Sequence, residues 1–232
     1  MARLARLYAP NTCQLVQAKL LPHIARLSDE QQLKPKLLAW LEELSVRYQL
    51  PIHAWSITNE GIYFLSTPPN ERTISQVVQA LGRYLASSLR LGAVFASRYR
   101  SCLVEEGDHY LACMIWLEMY LHHKEGIEQP DLLPWTSAGV HTGRINKDLK
   151  WLTDHHDYWV LGNTSFERQA RYKSLCEEGL SHSRILDIEA AIHGQWALGS
   201  DSFIEKIAPF ASRRVLPSKR GRPRKETLLK NN

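Results

Sequence analysis

Most of the groups in this 232-residue chain that could do chemistry are arranged in ways that argue against it. His122-His123 and His155-His156 are adjacent pairs. Neighbours on a helix point about 100° apart, whereas two ligands to one metal ion need a spacing of three or four residues. Glu105-Glu106 and Glu177-Glu178 read as solvated carboxylates. Cys13, Cys102, Cys113 and Cys176 lack any CxxC or other metal spacing and read as buried thiols of a cytoplasmic protein. No phosphate-binding glycine loop, GxSxG turn or zinc signature is present.

One stretch is different. Residues 219–225 read KRGRPRK. Gly221 and Pro223 keep such a chain narrow and extended, so Arg220 and Arg222 can lie along the floor of a DNA minor groove, where A-tracts concentrate negative potential. The segment resembles an AT-hook; a plain polycation would instead hold any nucleic acid by counterion release. Residues 213–232 carry eight Lys and Arg against the single acid Glu226, a net of +7. The whole chain is +5, so residues 1–212 are left at −2. The basic character therefore belongs to the tail.

The elements that carry these groups follow from periodicity. At 44% hydrophobic and 23% charged the chain is globular in class. No apolar run approaches the roughly 18 residues of a membrane span, and the opening MARLARLYAP lacks the apolar core of a secretory signal. Strands are expected at 12–20, 51–57, 61–66 and 98–105, the middle two joined as a hairpin. Leu33, Leu37, Leu41, Leu44 and Tyr48 recur at helical spacing behind a capping box at Ser28 and Gln31, with Pro35 near the first turn. A second helix opens at Thr73, with Gln76 completing another box, and a third covers 108–123. The order β-α-β-β-α-β-α predicts an α+β fold: a ferredoxin-like antiparallel sheet with helices on one face. Residues 1–128 form that domain. Residues 129–212 form a turn-rich linker and a helical region, with helices expected at 146–153, 165–178, 182–193 and 201–211. Residues 213–232 form the basic tail. LGNTSFERQ and LGSDSFIEK each read as a Leu-Gly stop, a polar cap and a Ser-Phe helix start.

Taken in order, these segments resemble the REP-associated tyrosine transposases, relatives of the single-tyrosine HUH transposases. The resemblance rests on MARLARL, WLEELSVRYQLPIHAWSI, RYRSCLVEEGDHYLACM, PWTSAGVHTGR, YWVLGNTSFERQARYKSLCEEGL, ALGSDSFIEKIA and KRGRPRK. It implies a His-x-His pair on a strand that binds Mg or Mn, usually with one further polar ligand. It also implies a tyrosine on the third helix that attacks a DNA phosphate, with hairpin single strands as substrate. The motifs depart from this pattern. Pro-Asn-His-x-His corresponds to Thr58-Asn59-Glu60-Gly61-Ile62, and Tyr-Ile-x-Leu-Asn-Pro to Trp116-Leu117-Glu118-Met119-Tyr120-Leu121. Glu60 could offer an oxygen to a hard metal, but Ile62 has no donor, and the indole of Trp116 cannot attack phosphorus.

Three readings follow. The first is a DNA-binding protein without strand cleavage or a metal cofactor, using Lys219, Arg220, Arg222, Arg224 and Lys225, with Arg98 and Arg100 on the body. Its partner would be hairpin single-stranded or AT-rich duplex DNA, with no membrane, and the protein would be a monomer or dimer in the cytoplasm or nucleoid. The second is an active transposase with a rearranged site of Tyr120 and Glu60, Tyr120 lying one turn beyond Trp116. The third is an RNA-binding or protein-interaction module presenting Trp55, Tyr63 and Phe64 from the sheet, although Tyr63 and Phe64 must face opposite ways.

Overall fold

The computed structural model describes residues 5–26, 33–146 and 149–217. The capping box at Ser28 and Gln31 and the tail residues Lys219, Arg220, Arg222, Arg224 and Lys225 lie outside them.

Four strands form one antiparallel sheet: β1 (Cys13–Lys19), β2 (Ile52–Ile57), β3 (Gly61–Ser66) and β4 (Arg100–Val104), in the order β2-β3-β1-β4. This is the order that β-α-β-β-α-β chirality gives when both crossovers are right-handed. The alternation of β1 explains its central place. Val16 and Ala18 enter one apolar cluster and Cys13 and Leu15 another, so both faces of the strand are buried. Register is set by pairs such as Val16 with Phe64 and Leu15 with Cys102.

After a short helix α1 (Pro22–Arg26), the first face is covered by α2 (Leu33–Arg47) and α3 (Thr73–Leu89), whose apolar stripes pack on Ile57, Ile62 and Phe64. Pro35 falls in the first turn of α2, where a missing N–H costs nothing. The Thr73–Gln76 box does not form. Arg72 is the N-cap and Thr73 is already helical, so its hydroxyl is in the wrong place to cap.

The added helix and the C-terminal region cover the second face. α4 (Asp108–Ile115) runs into a π-helical turn, Trp116–Tyr120, and then α5 (Leu121–Lys124). Tyr158, Tyr172, Cys176, Ile188 and Ile192 join the same cluster. They come from or border α7 (His156–Trp159), α8 (Ser165–Glu178) and α9 (His182–Gly194). α6 (Ala138–His141) and α10 (Asp201–Ile207) complete the set. Thr164 and Glu167 make a full capping box on α8, and Ser200 caps α10, so the two Leu-Gly-polar-Ser-Phe segments do use the same chemistry. The expected helix at 146–153 is absent among its described residues: Leu152 bridges to Ile52 and Thr153 N–H donates to the Ile52 carbonyl.

Both sheet edges are sealed by C-terminal chain. Ile57 N–H donates to the Trp135 carbonyl and Ser137 N–H to Trp55 along β2; Leu198 N–H donates to Leu103 along β4. The segment read as a linker is therefore pinned to an edge that would otherwise expose unpaired backbone. Trp55, Tyr63 and Phe64 are all buried. A sheet covered on both faces offers no stacking platform, which overturns the base-stacking form of the RNA-binding reading. The four cysteines are free and buried. Among the described residues, no helix is long and apolar enough to cross a membrane.

Candidate functional site

The alternation that buries Cys13 and Leu15 carries Gln17 and Lys19 to the end of the same face, where the packed helices leave a cavity of about 460 Å³. Gln17 and Lys19 of β1, Tyr63 of β3 and Arg100 of β4 form its floor. Thr58 and Glu60 from the hairpin, Trp116 and Leu121 from the π-turn and α5, and Glu189 and His193 from α9 line the rest, with Lys124 and Glu125. Gly61 makes the floor possible. A Cβ there would stand 2.3 Å from the Ala18 carbonyl oxygen, so only glycine lets the hairpin approach β1.

That approach sets Lys19 Nζ 2.9 Å from Glu60 Oε2. The Lys19 ammonium holds the Glu60 carboxyl below its usual range, with partial burial opposing and Lys19 and Lys124 charges helping. Arg100 Nη1 lies 2.6 Å from His193 Nδ1. A guanidinium only donates, so Nδ1 accepts, which leaves the imidazole proton on Nε2. Burial pushes the Tyr63 phenol well above its ordinary pKa; the Glu60 charge adds to this, and hydrogen bonds to Gln17 and Thr58 partly offset it. Tyr63 is thus a poor nucleophile despite lining the cavity.

Trp116 is 2% exposed. Its ring meets Tyr63 edge-on at 6.0 Å and stacks on Tyr120 at 6.4 Å and 25°. The two rings sit on a widened turn, where Leu121 N–H reaches back to the Trp116 carbonyl. The structure brings Glu60 and Trp116 to one cavity but separates the other two candidates. Ile62 is buried on the opposite face with Phe64, because Glu60 lies in the turn before β3 begins, outside the strand's alternation. Tyr120 is not among the lining residues. Of the positions where the resemblance places metal ligands, Glu60 is engaged by Lys19 and Ile62 faces the other core; among the described residues no three His, Cys, Asp or Glu side chains are grouped. Arg100 lines the cavity, whereas Arg98 is exposed and lies close enough to Arg6 and Arg213 for their charges to interact.

A second polar group was not visible in the sequence. Glu118, two residues after Trp116 and fully buried, accepts hydrogen bonds from the Ser137 hydroxyl, from His141 Nδ1 at 2.7 Å and from the Tyr172 hydroxyl at 2.7 Å. Asp154 lies 3.9 Å from His141 Nε2, and the Tyr158 hydroxyl donates to the His141 carbonyl. The only local signal is a carboxylate inside the apolar run ACMIWLEMYL. The other singled-out groups are structural. Glu105 accepts from the Ser200 N–H and hydroxyl, His122 pairs with Ser56 at 2.6 Å, and His155 accepts from the Asp157 N–H. Glu177 and Glu178 are exposed.

No protein-family model matches the chain, and no curated protein does. Among solved structures it is similar to a REP-associated tyrosine transposase bound to a REP hairpin. The TM-score is 0.54 at 14% identity, over 66% of this chain and 93% of that one. At that identity the likeness establishes a shared fold.

Proposed function

We propose that this protein binds DNA on a transposase-like scaffold and does not cleave it. The observation that carries the reading is the make-up of the cavity in a fold shared with a hairpin-bound transposase. Lys19, Arg100 and Lys124 supply cations for a phosphate, while buried Trp116 supplies no oxygen to attack it. Glu60 is engaged by Lys19, and Ile62 faces the other side of the sheet, so no metal shell is assembled around the phosphate. The partner is hairpin single-stranded or AT-rich duplex DNA. The tail residues Lys219, Arg220, Arg222, Arg224 and Lys225 add sequence-independent attraction and, in AT-rich duplex, minor-groove contacts.

The test is to incubate the full chain with labelled hairpin single strand and Mg²⁺ or Mn²⁺, then to separate products under denaturing conditions alongside native binding titrations of the hairpin and of an AT-rich duplex. The expected result is retention of DNA in the titration with no covalent adduct. A protein–DNA adduct lost on Tyr120→Phe would replace this reading with that of a working nuclease; failure to bind either DNA would remove it altogether.

A further inference from the structure

The two ends of the described chain lie side by side. Tyr8 N–H donates to Ser212 Oγ at 2.9 Å, Ser212 N–H donates to the Tyr8 carbonyl at 2.8 Å, and Ser212 Oγ–H donates to the Arg6 carbonyl at 2.9 Å. Arg213 fixes the junction. Its Nε donates to the Ala5 carbonyl at 2.7 Å and its Nη2 to the Gln195 carbonyl at 2.5 Å.

This stitching gathers cations from three separated segments. The Arg6 guanidinium lies 3.8 Å from the Tyr99 ring centroid; those of Arg213 and Arg214 lie 4.7 Å and 5.5 Å from that of Trp196. Arg98 stands near enough that its charge depresses the pKa of both Arg6 and Arg213, secondary in each to burial. Among the described residues, Arg6, Arg213 and Arg214 form no ion pair with a carboxylate. Bringing like charges together is unfavourable unless an anion joins them. Aromatic faces hold the guanidiniums flat and leave N–H edges free to donate. The net −2 of residues 1–212 averages this cluster away. The chain then runs from Arg214 through Pro217 directly into the basic residues 219–225.

We infer that Arg6, Arg98, Arg214 and Trp196 form a docking site for the sugar–phosphate backbone of double-helical DNA, in a duplex or a hairpin stem, working as the body's half of a grip whose other half is the tail. The inference rests on the DNA-binding reading and adds where on the body the DNA lies. Arg213 positions the site, since its donors are spent on backbone carbonyls, while Arg98 and Arg214 are exposed and meet phosphate.

The experiment is the affinity of the full chain for a labelled AT-rich duplex across a range of salt concentrations. The chains compared are wild type, Arg98→Ala with Arg214→Ala, and a control pair, Arg83→Ala with Arg171→Ala, which removes the same charge from exposed positions outside the cluster. Each lost phosphate contact lowers the slope of log K against log salt by about 0.9. The patch pair should lower it by about 1.8, the control pair by close to zero, and Arg98→Lys with Arg214→Lys should keep the wild-type slope. Thermal melts of each variant check the fold. A wild-type slope in the patch pair overturns the inference and leaves tail-driven DNA binding standing, as does an equal loss in patch and control pairs. Absence of binding by the wild-type chain removes both.

Discussion

Two polar sites flank the same π-turn, two residues apart, and solve opposite problems. At Trp116 the chain closes off the inner end of a cavity whose ion pair, Lys19–Glu60, stays half exposed on both sides. At Glu118 a carboxylate is wholly enclosed, and each oxygen is met by a hydroxyl or imidazole donor. The open site keeps its charges in water, where the pair contributes little to stability and remains available to a ligand. The closed site removes charge from water, so its partners are bound to one another by the cost of separating them. The π-turn serves both. It carries both the Trp116–Tyr120 stack and Glu118 with its partners Ser137, His141 and Tyr172. One helix is thereby tied to the edge segment beside β2, through Ser137, and to α8, through Tyr172.

The sharpest way to break the contrast is Glu118→Ala. It strands the Ser137, His141 and Tyr172 donors in a dry interior and should cost about 3–5 kcal/mol. The denaturant midpoint measures this; a loss below about 1 kcal/mol would mean that water or repacking satisfies those groups and that the network is not a tie.

Acidification probes the same face of the sheet. Burial lowers both His53 and His122 from an ordinary 6.5 to about 4. Above 6.5 both states are neutral and these groups contribute no pH dependence. Between 6.5 and 4 the unfolded chain binds the protons and the folded chain does not, so stability falls as pH falls; below 4 the loss is complete. Each group accounts for up to about 3 kcal/mol. Urea titrations between pH 7 and 4 should show this slope, and His122→Gln, which retains a partner for Ser56, should remove about half of it.

How far the sequence anticipates all this depends on the range of the contacts. The four strands and the helices at α2, α3, α4, α8 and α9 are written in local periodicity, and the structure keeps them within a few residues. The α8 and α10 caps are local too. Thr73 failed as a cap because one residue's shift in the helix start moves its hydroxyl past the free N–H groups. The candidate site was half visible. Glu60 and Trp116 converge, whereas the phase of β3 sends Ile62, which aligns with the second histidine of the motif, to the other core. The Glu118 network is invisible because its partners lie 19, 23 and 54 residues away, the first two in a stretch whose turn-rich composition looks like linker and the third on a separate helix, α8. The arginine cluster was invisible for a similar reason: net charge sums over the chain, whereas a patch depends on which segments meet.

Trp116→Tyr tests whether the cavity retains any catalytic geometry. A smaller ring leaves a void beside Tyr63, and the cost should be about 1–3 kcal/mol. The variant puts a phenol where the resemblance places one, but supplies no metal shell. The expected outcome in the adduct assay with Mn²⁺ is no product. A covalent adduct would show that the open site needs only its nucleophile, and that the missing histidines are dispensable.

The smallest effect on stability should come from Glu60→Gln, and for that reason it separates the two sites most cleanly. With both side chains about half exposed, at 46% and 56%, the Lys19–Glu60 pair is worth at most about 0.5–1 kcal/mol. The melting temperature should hardly move, in contrast to Glu118→Ala. Affinity for hairpin DNA should move the other way from a loss. Glu60 is an anion beside Lys19, Lys124 and Arg100. Removing it frees the Lys19 ammonium for a phosphate and should tighten binding by up to about fivefold, equivalent to roughly 1 kcal/mol for one solvent-screened charge. Unchanged affinity would place the DNA away from the cavity and leave the arginine cluster and the tail to hold it. Weaker affinity would make the ion pair itself part of the binding surface, with Glu60 orienting Lys19 rather than competing for it.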